Sequence, residues 1–167
     1  MINAARLRVV FDCNVYFQAL ISPEGPAGRC LNAAIEGRIE LFTSREVMTE
    51  FWHLAMRPRV LAKFKYSIDR VVLMMENVER TARVVTDAPR QFVLERDPSD
   101  ALYVDLALHV GAGFVISRDA DLLDLCDHQA GVVGVHGRLS QPADHPAPSP
   151  LVSAVRVKRP ILHFLVQ

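Results

Sequence analysis

Short runs of consecutive apolar residues alternate along this chain with stretches in which apolar residues recur every three or four positions. Leu7 to Phe11 is the first run, rich in β-branched residues and ending at Asp12, and it predicts a strand buried on both faces. Pro23, Gly25 and Pro26 mark a loop. Leu31, Ala34 and Ile35 then follow helical spacing up to Gly37, which predicts a helix from Pro26 to Glu36. Ile39 to Phe42 reads as a second strand. Ser44 caps a helix whose Val47, Phe51, Leu54 and Ala55 form one stripe before Pro58. A longer helix spans about Ser67 to Ala82, and Val84 to Thr86 reads as a short strand. Asp97-Pro98-Ser99-Asp100 sets a cap, a proline and an acid in the order of a helix start. The helix that follows, to His109, is apolar on most sides and therefore central. Gly111 and Gly113 end it, Phe114 to Ser117 form a strand, and Asp119-Ala120-Asp121 opens another helix.

Strands that alternate with helices predict an α/β fold with a parallel sheet, helices on both faces and right-handed crossovers. A length of 167 residues suits one domain. Residues 1–127 read as its core and 128–150 as an irregular Pro/Gly-rich insertion. Residues 151–167 supply the final strand, Val152 to Val157, and a C-terminal segment of the same domain; Val132 to Val135 competes for that strand position. Nineteen basic and nineteen acidic residues cancel, so no global field draws the protein to polyanions. Affinity for nucleic acid must come from a local patch or from bound metal. Cys13, Cys30 and Cys126 form no Cys-x-x-Cys pair and read as reduced thiols of a cytoplasmic protein. No apolar run approaches the roughly 18 residues of a membrane span, so no membrane partner is expected.

The candidate chemistry is acidic. Asp12 and Asp119 follow apolar strands, where open parallel sheets bind their ligands. Asp100 stands in the first turn of the central helix, and Glu50 borders the apolar stripe of its own helix. Each has a bland reading: a strand-end Asp is usually a turn or cap residue, Asp100 complements a helix dipole, and Glu50 extends into water. Against this stands the coincidence of four acids from four elements at one sheet edge. Two carboxylates about 5 Å apart repel by roughly 3 kcal/mol at an effective dielectric of 20, so protons or cations must neutralise them. Oxygen-only ligands suit Mg²⁺ or Mn²⁺, and the natural chemistry is phosphodiester hydrolysis. Asp121 and Asp124 read as ordinary first-turn and surface acids, of which Asp121 could assist the site; Asp105, which interrupts an apolar helix, is expected to face solvent, with a fifth site carboxylate as the alternative. Arg57, Arg59, Lys63 and Lys65, with Phe64 and Tyr66 interleaved, could track a phosphate backbone and stack a base, although a solvated face is the commoner outcome. Arg118, beside Asp119, is better placed for a phosphate. Cys13, taken as continuing the strand, is expected to point away from Asp12 into the core. Glu50 and His53 match one half of a di-iron motif whose second half is absent.

The ordered set Val9-Val10-Phe11-Asp12-Cys13-Asn14-Val15, Thr49-Glu50, Arg96-Asp97-Pro98-Ser99-Asp100-Ala101 and Ile116-Ser117-Arg118-Asp119-Ala120-Asp121-Leu122-Leu123 resembles the PIN domain family. It is most similar to the VapC-type ribonucleases that serve as toxins of toxin–antitoxin pairs. That resemblance implies a three-layer α/β/α PIN-like domain with a central, mainly parallel twisted sheet. It also implies a metal-dependent endoribonuclease with Asp12, Glu50, Asp100 and Asp119 as catalytic and metal-ligating residues. Asn14 then supports the first Asp, and Ser117 matches the hydroxyl residue common before the last motif. An RNA substrate, a cognate antitoxin and a homodimer are implied as partners. One alternative is a haloacid-dehalogenase-like phosphatase, although its first motif needs an Asp where Asn14 stands. Another is a non-catalytic PIN-like module that binds RNA or protein.

Overall fold

The computed structural model describes residues 6–90, 100–118, 132–135 and 153–157. Along them run β1 (Leu7–Phe11), α1 (Cys13–Ile21), α2 (Pro26–Ile35), β2 (Ile39–Ser44), α3 (Arg45–Ala55) and α4 (Pro58–Phe64). These are followed by α5 (Ile68–Thr81), β3 (Arg83–Val85), α6 (Ala101–Val110), β4 (Phe114–Ser117), β5 (Val132–Val135) and β6 (Ser153–Val157). The described strands form one sheet in the order β3-β2-β1-β4-β6-β5. The first four run parallel, while β6 is antiparallel to β4 and β5 is antiparallel to β6. This is the α/β fold that the alternation predicts. The two segments that competed for one strand position are both strands, paired with each other.

β1 lies inside the sheet, and Val9, Val10 and Phe11 are all buried although successive side chains point to opposite faces. Helices must therefore cover both faces. α6 packs against β1, β2 and β4, while α1 packs against α2, α3 and α5 as well as the sheet. Every residue from Ala101 to Ala107 in α6 is buried, as its all-round apolar sequence predicts. The rings of Phe11, Tyr16 and Phe51 stand in a row with centroids 5.7 and 6.0 Å apart, joining β1, α1 and α3.

Two helices depart from the sequence expectation. α1 starts with no loop after β1, because Asp12, the residue directly after the strand, is already the N-cap: its Oδ1 accepts the Val15 N–H at 2.8 Å. α4 is a short helix opened by Pro58 and closed at Lys65, whose φ of 52° is left-handed. The cap of α3 is as expected, with Ser44 Oγ accepting from the Val47 N–H at 3.3 Å. α2 packs so tightly on the preceding loop that a Cβ at Gly28 would lie 1.8 Å from the Pro23 carbonyl oxygen.

Candidate active site at the carboxyl edge of the sheet

The strand register builds the site. Val10 pairs with Phe42 and Phe11 with Ile116, so continuing each ladder by residues sets Asp12 level with Ser44 and Ser117. The Asp12 N–H extends the β1–β4 ladder by donating to the Ile116 carbonyl at 3.1 Å. The Ser117 hydroxyl donates to Asp12 Oδ2. Asp12 is 1% exposed and Ser117 fully buried, so this carboxylate is fixed from both sides. The chain leaves β1 toward β2 on one side, and β4 lies on the other. Asp12 therefore stands at the switch point where ligands of open α/β sheets bind.

Glu50, half-buried on α3, is tied to this edge by a residue that the sequence reading passed over. The Tyr103 hydroxyl donates to Glu50 Oε2 at 2.5 Å and accepts the Cys13 N–H at 3.3 Å. One phenol thus joins α6, α3 and the start of α1. Burial above all, then the neighbouring Cys13 thiol and Glu50 carboxylate, pushes the Tyr103 phenol far above its ordinary range, so it keeps its proton and acts as the donor. Asp100 stands at the N-cap position of the same helix, partly exposed, and its carbonyl accepts the Tyr103 N–H.

Cys13 is partly buried and packs against the hydrophobic core, but it opens α1 and does not continue the strand, so strand alternation does not set its direction. Its thiol is pushed up to about 11, by burial first and further by the negative charges of Asp12, Glu50 and Asp100, against a lowering hydrogen bond from Tyr103. Asp119 and Asp121 lie outside the described residues, as does Asp97. Among the described residues no three carboxylate, imidazole or thiol groups form a cluster able to hold a metal ion. The oxygen-only chemistry of Asp12, Glu50 and Asp100 fits a hard divalent cation.

Other expectations fall out differently. Asp105 is buried at 2% exposure rather than facing solvent, because α6 is enclosed on nearly its whole circumference. The Asn14 side chain makes no hydrogen bond among the described residues, and Ser117 is one of the groups that hold Asp12, with the Val15 N–H another. Tyr66 is buried with its hydroxyl on the Ala55 carbonyl at 2.6 Å, so it is not a surface ring for stacking a base. Arg57, Arg59 and Lys63 are exposed on and beside α4, past the end of α3 remote from the sheet edge. Lys63 lies over the Phe64 ring, 5.2 Å from its centroid. Arg118 is exposed directly after Ser117.

A parallel sheet flanked by helices, with Asp12 fixed where β1 meets β4, defines a nuclease-like α/β fold. The family model described as PIN domain matches residues 8–121, and the chain belongs to that family. An uncharacterised protein of Methanocaldococcus jannaschii, MJ1680, is 28% identical over 122 residues, covering 73% of this chain and 77% of the relative. Among the described residues no helix is long and apolar enough to cross a membrane.

Proposed function

We propose that this PIN domain is a Mg²⁺- or Mn²⁺-dependent endoribonuclease, the toxin of a toxin–antitoxin pair, acting as a homodimer and restrained by a cognate antitoxin. The observation that supports the reading is Asp12 at the carboxyl edge of the sheet, fixed by Ser117 and the Val15 N–H, with Glu50 joined to the same edge through Tyr103. In this reading Asp12, Glu50 and Asp100, with Asp119, hold the cation. When bound, the ion supplies a water activated for attack and positive charge for the departing oxygen. The chain supplies fixed geometry. Ser117 and the Val15 N–H orient Asp12, and Tyr103 orients Glu50. The Arg57, Arg59, Lys63 and Arg118 side chains remain candidates for contact with RNA.

The test is cleavage of a fluorogenic single-stranded RNA by the purified protein with Mn²⁺ or with EDTA, for wild type and Asp12→Asn. Cleavage that needs Mn²⁺ and falls by orders of magnitude in the folded variant is expected. Cleavage at the wild-type rate by Asp12→Asn, or in EDTA, overturns the proposal. The toxin role predicts growth arrest on induced expression, relieved by co-expression of a small neighbouring gene product; unimpeded growth argues against it.

A further inference from the structure

Beside Glu50, away from β4, lies an open pocket of about 500 Å³ lined by Arg45, Glu46, Thr49, Glu50, Arg90 and Leu102. Its volume falls within the roughly 300–1,000 Å³ of sites that enclose small ligands. Three elements build it: the first turns of α3, the segment after β3 and the start of α6. Arg45 is held in the first turn of α3, where its carbonyl accepts the Thr49 hydroxyl at 2.8 Å. Arg90 comes from the segment following β3. Both are exposed, and neither guanidinium closes a salt bridge or hydrogen bond among the described residues. Glu46 is the counter-charge between them. Its carboxyl is held below the usual range by its own backbone N–H and the Ser44 hydroxyl, and further by Arg90 and Arg45.

We propose that Arg45 and Arg90 form a subsite for the phosphodiester next to the one being cut, holding single-stranded RNA on the Glu50 side of the cleavage centre. The inference rests on the nuclease reading, which it deepens by naming the groups that seat the substrate. Two planar, multi-donor cations with open hydrogen-bonding capacity at the mouth of one pocket suit a phosphate better than any neutral ligand. Leu102, itself buried, supplies the pocket's apolar lining. Glu50 belongs to both the pocket and the acidic edge, so a strand seated on the arginines runs directly to the cleavage centre. Glu46 offsets part of the arginines' positive charge in the free protein and competes with the incoming phosphate.

The experiment is a fluorescence-anisotropy titration of a labelled single-stranded oligoribonucleotide over a range of KCl concentrations. It is run with Asp12→Asn protein, so that binding is read without cleavage. Adding Arg45→Gln or Arg90→Gln is expected to weaken binding roughly tenfold at low salt and to flatten the plot of log affinity against log salt by about 0.7 each. Adding Glu46→Gln is expected to tighten binding at least twofold. All three side chains are exposed, and a thermal melt confirms that each variant is folded. A double arginine variant with unchanged affinity and slope overturns the subsite, as does failure of the parent protein to bind at 50 mM KCl. The nuclease reading fails separately: RNA that binds through these arginines but is not cut by wild type with Mn²⁺ leaves the subsite standing and removes the catalytic proposal.

Discussion

Tyr103→Phe removes one oxygen atom and leaves the ring in place, which isolates what the phenol does for Glu50. The lost bond at 2.5 Å runs to a carboxylate, and hydrogen bonds to charged groups contribute about 1.5–3 kcal/mol. Glu50 is only half-buried, so water replaces part of that loss and the low end applies. The Cys13 N–H, at 3.3 Å, is a first-turn donor with a weak bond to lose. Together these give about 1–2 kcal/mol, or roughly 2–8 °C in Tm for a domain of this size. The larger effect is expected on the cation. A ligand released from its orienting partner typically costs 10- to 100-fold in metal affinity. Calorimetric titration with Mn²⁺ is therefore expected to show at least tenfold weaker binding in Tyr103→Phe, with a melt only a few degrees lower. Unchanged Mn²⁺ affinity alongside a lowered Tm would make Tyr103 a structural strut and refute its role in positioning Glu50.

Asp12 combines a cap with the proposed chemistry, and two substitutions separate them. Asp12→Asn keeps a capping oxygen and is expected to melt within about 2 °C of wild type, whereas Asp12→Ala loses about 1 kcal/mol of cap by chemical denaturation; equal stability of the two would deny the cap. The Tyr16 and Thr43 hydroxyls are both buried and lie near each other, yet neither meets hydrogen-bond geometry among the described residues, so Tyr16→Phe is expected to be neutral or stabilising by about 1 kcal/mol in urea unfolding. A loss of 2 kcal/mol would reveal a partner for the phenol. Gly28→Ala would raise the helix propensity of α2 by about 1 kcal/mol, yet the clash at 1.8 Å with the Pro23 backbone outweighs it, and a net lowering of Tm is expected. A higher Tm would show that the 22–25 loop yields easily.

Where the chain carries sharp punctuation, the sequence reading lands within a residue or two. Pro26 opens α2, Ser44 and Ser67 cap α3 and α5, and Gly111 closes α6 with a φ of 64°. α1 escaped because it has neither a loop before it nor a polar stripe. Val15, Tyr16, Phe17, Ala19 and Leu20 are all buried, so the change from strand to helical period leaves no mark. Asp12 and Glu50 were legible as candidates, one from the end of an apolar run and the other from the border of a stripe. Tyr103 was not. An aromatic in an apolar helix reads as core filling, and the destination of its hydroxyl depends on groups 53 and 90 positions away in the chain. Asp105 was misread for a related reason, since exposure of a helix position is set by what the rest of the fold lays over it. Arg45 and Arg90 look like any solvated charges until topology places them on one pocket.

The direct junction of β1 and α1 leaves no slack around Asp12. Inserting or deleting a residue there would turn the following helix by about 100° and carry the Tyr16 ring out of its row with Phe11 and Phe51. Variation in what this molecule recognises is thus expected to accumulate on the Arg90 side of the groove, while the hinge that carries Asp12 tolerates almost no change of length.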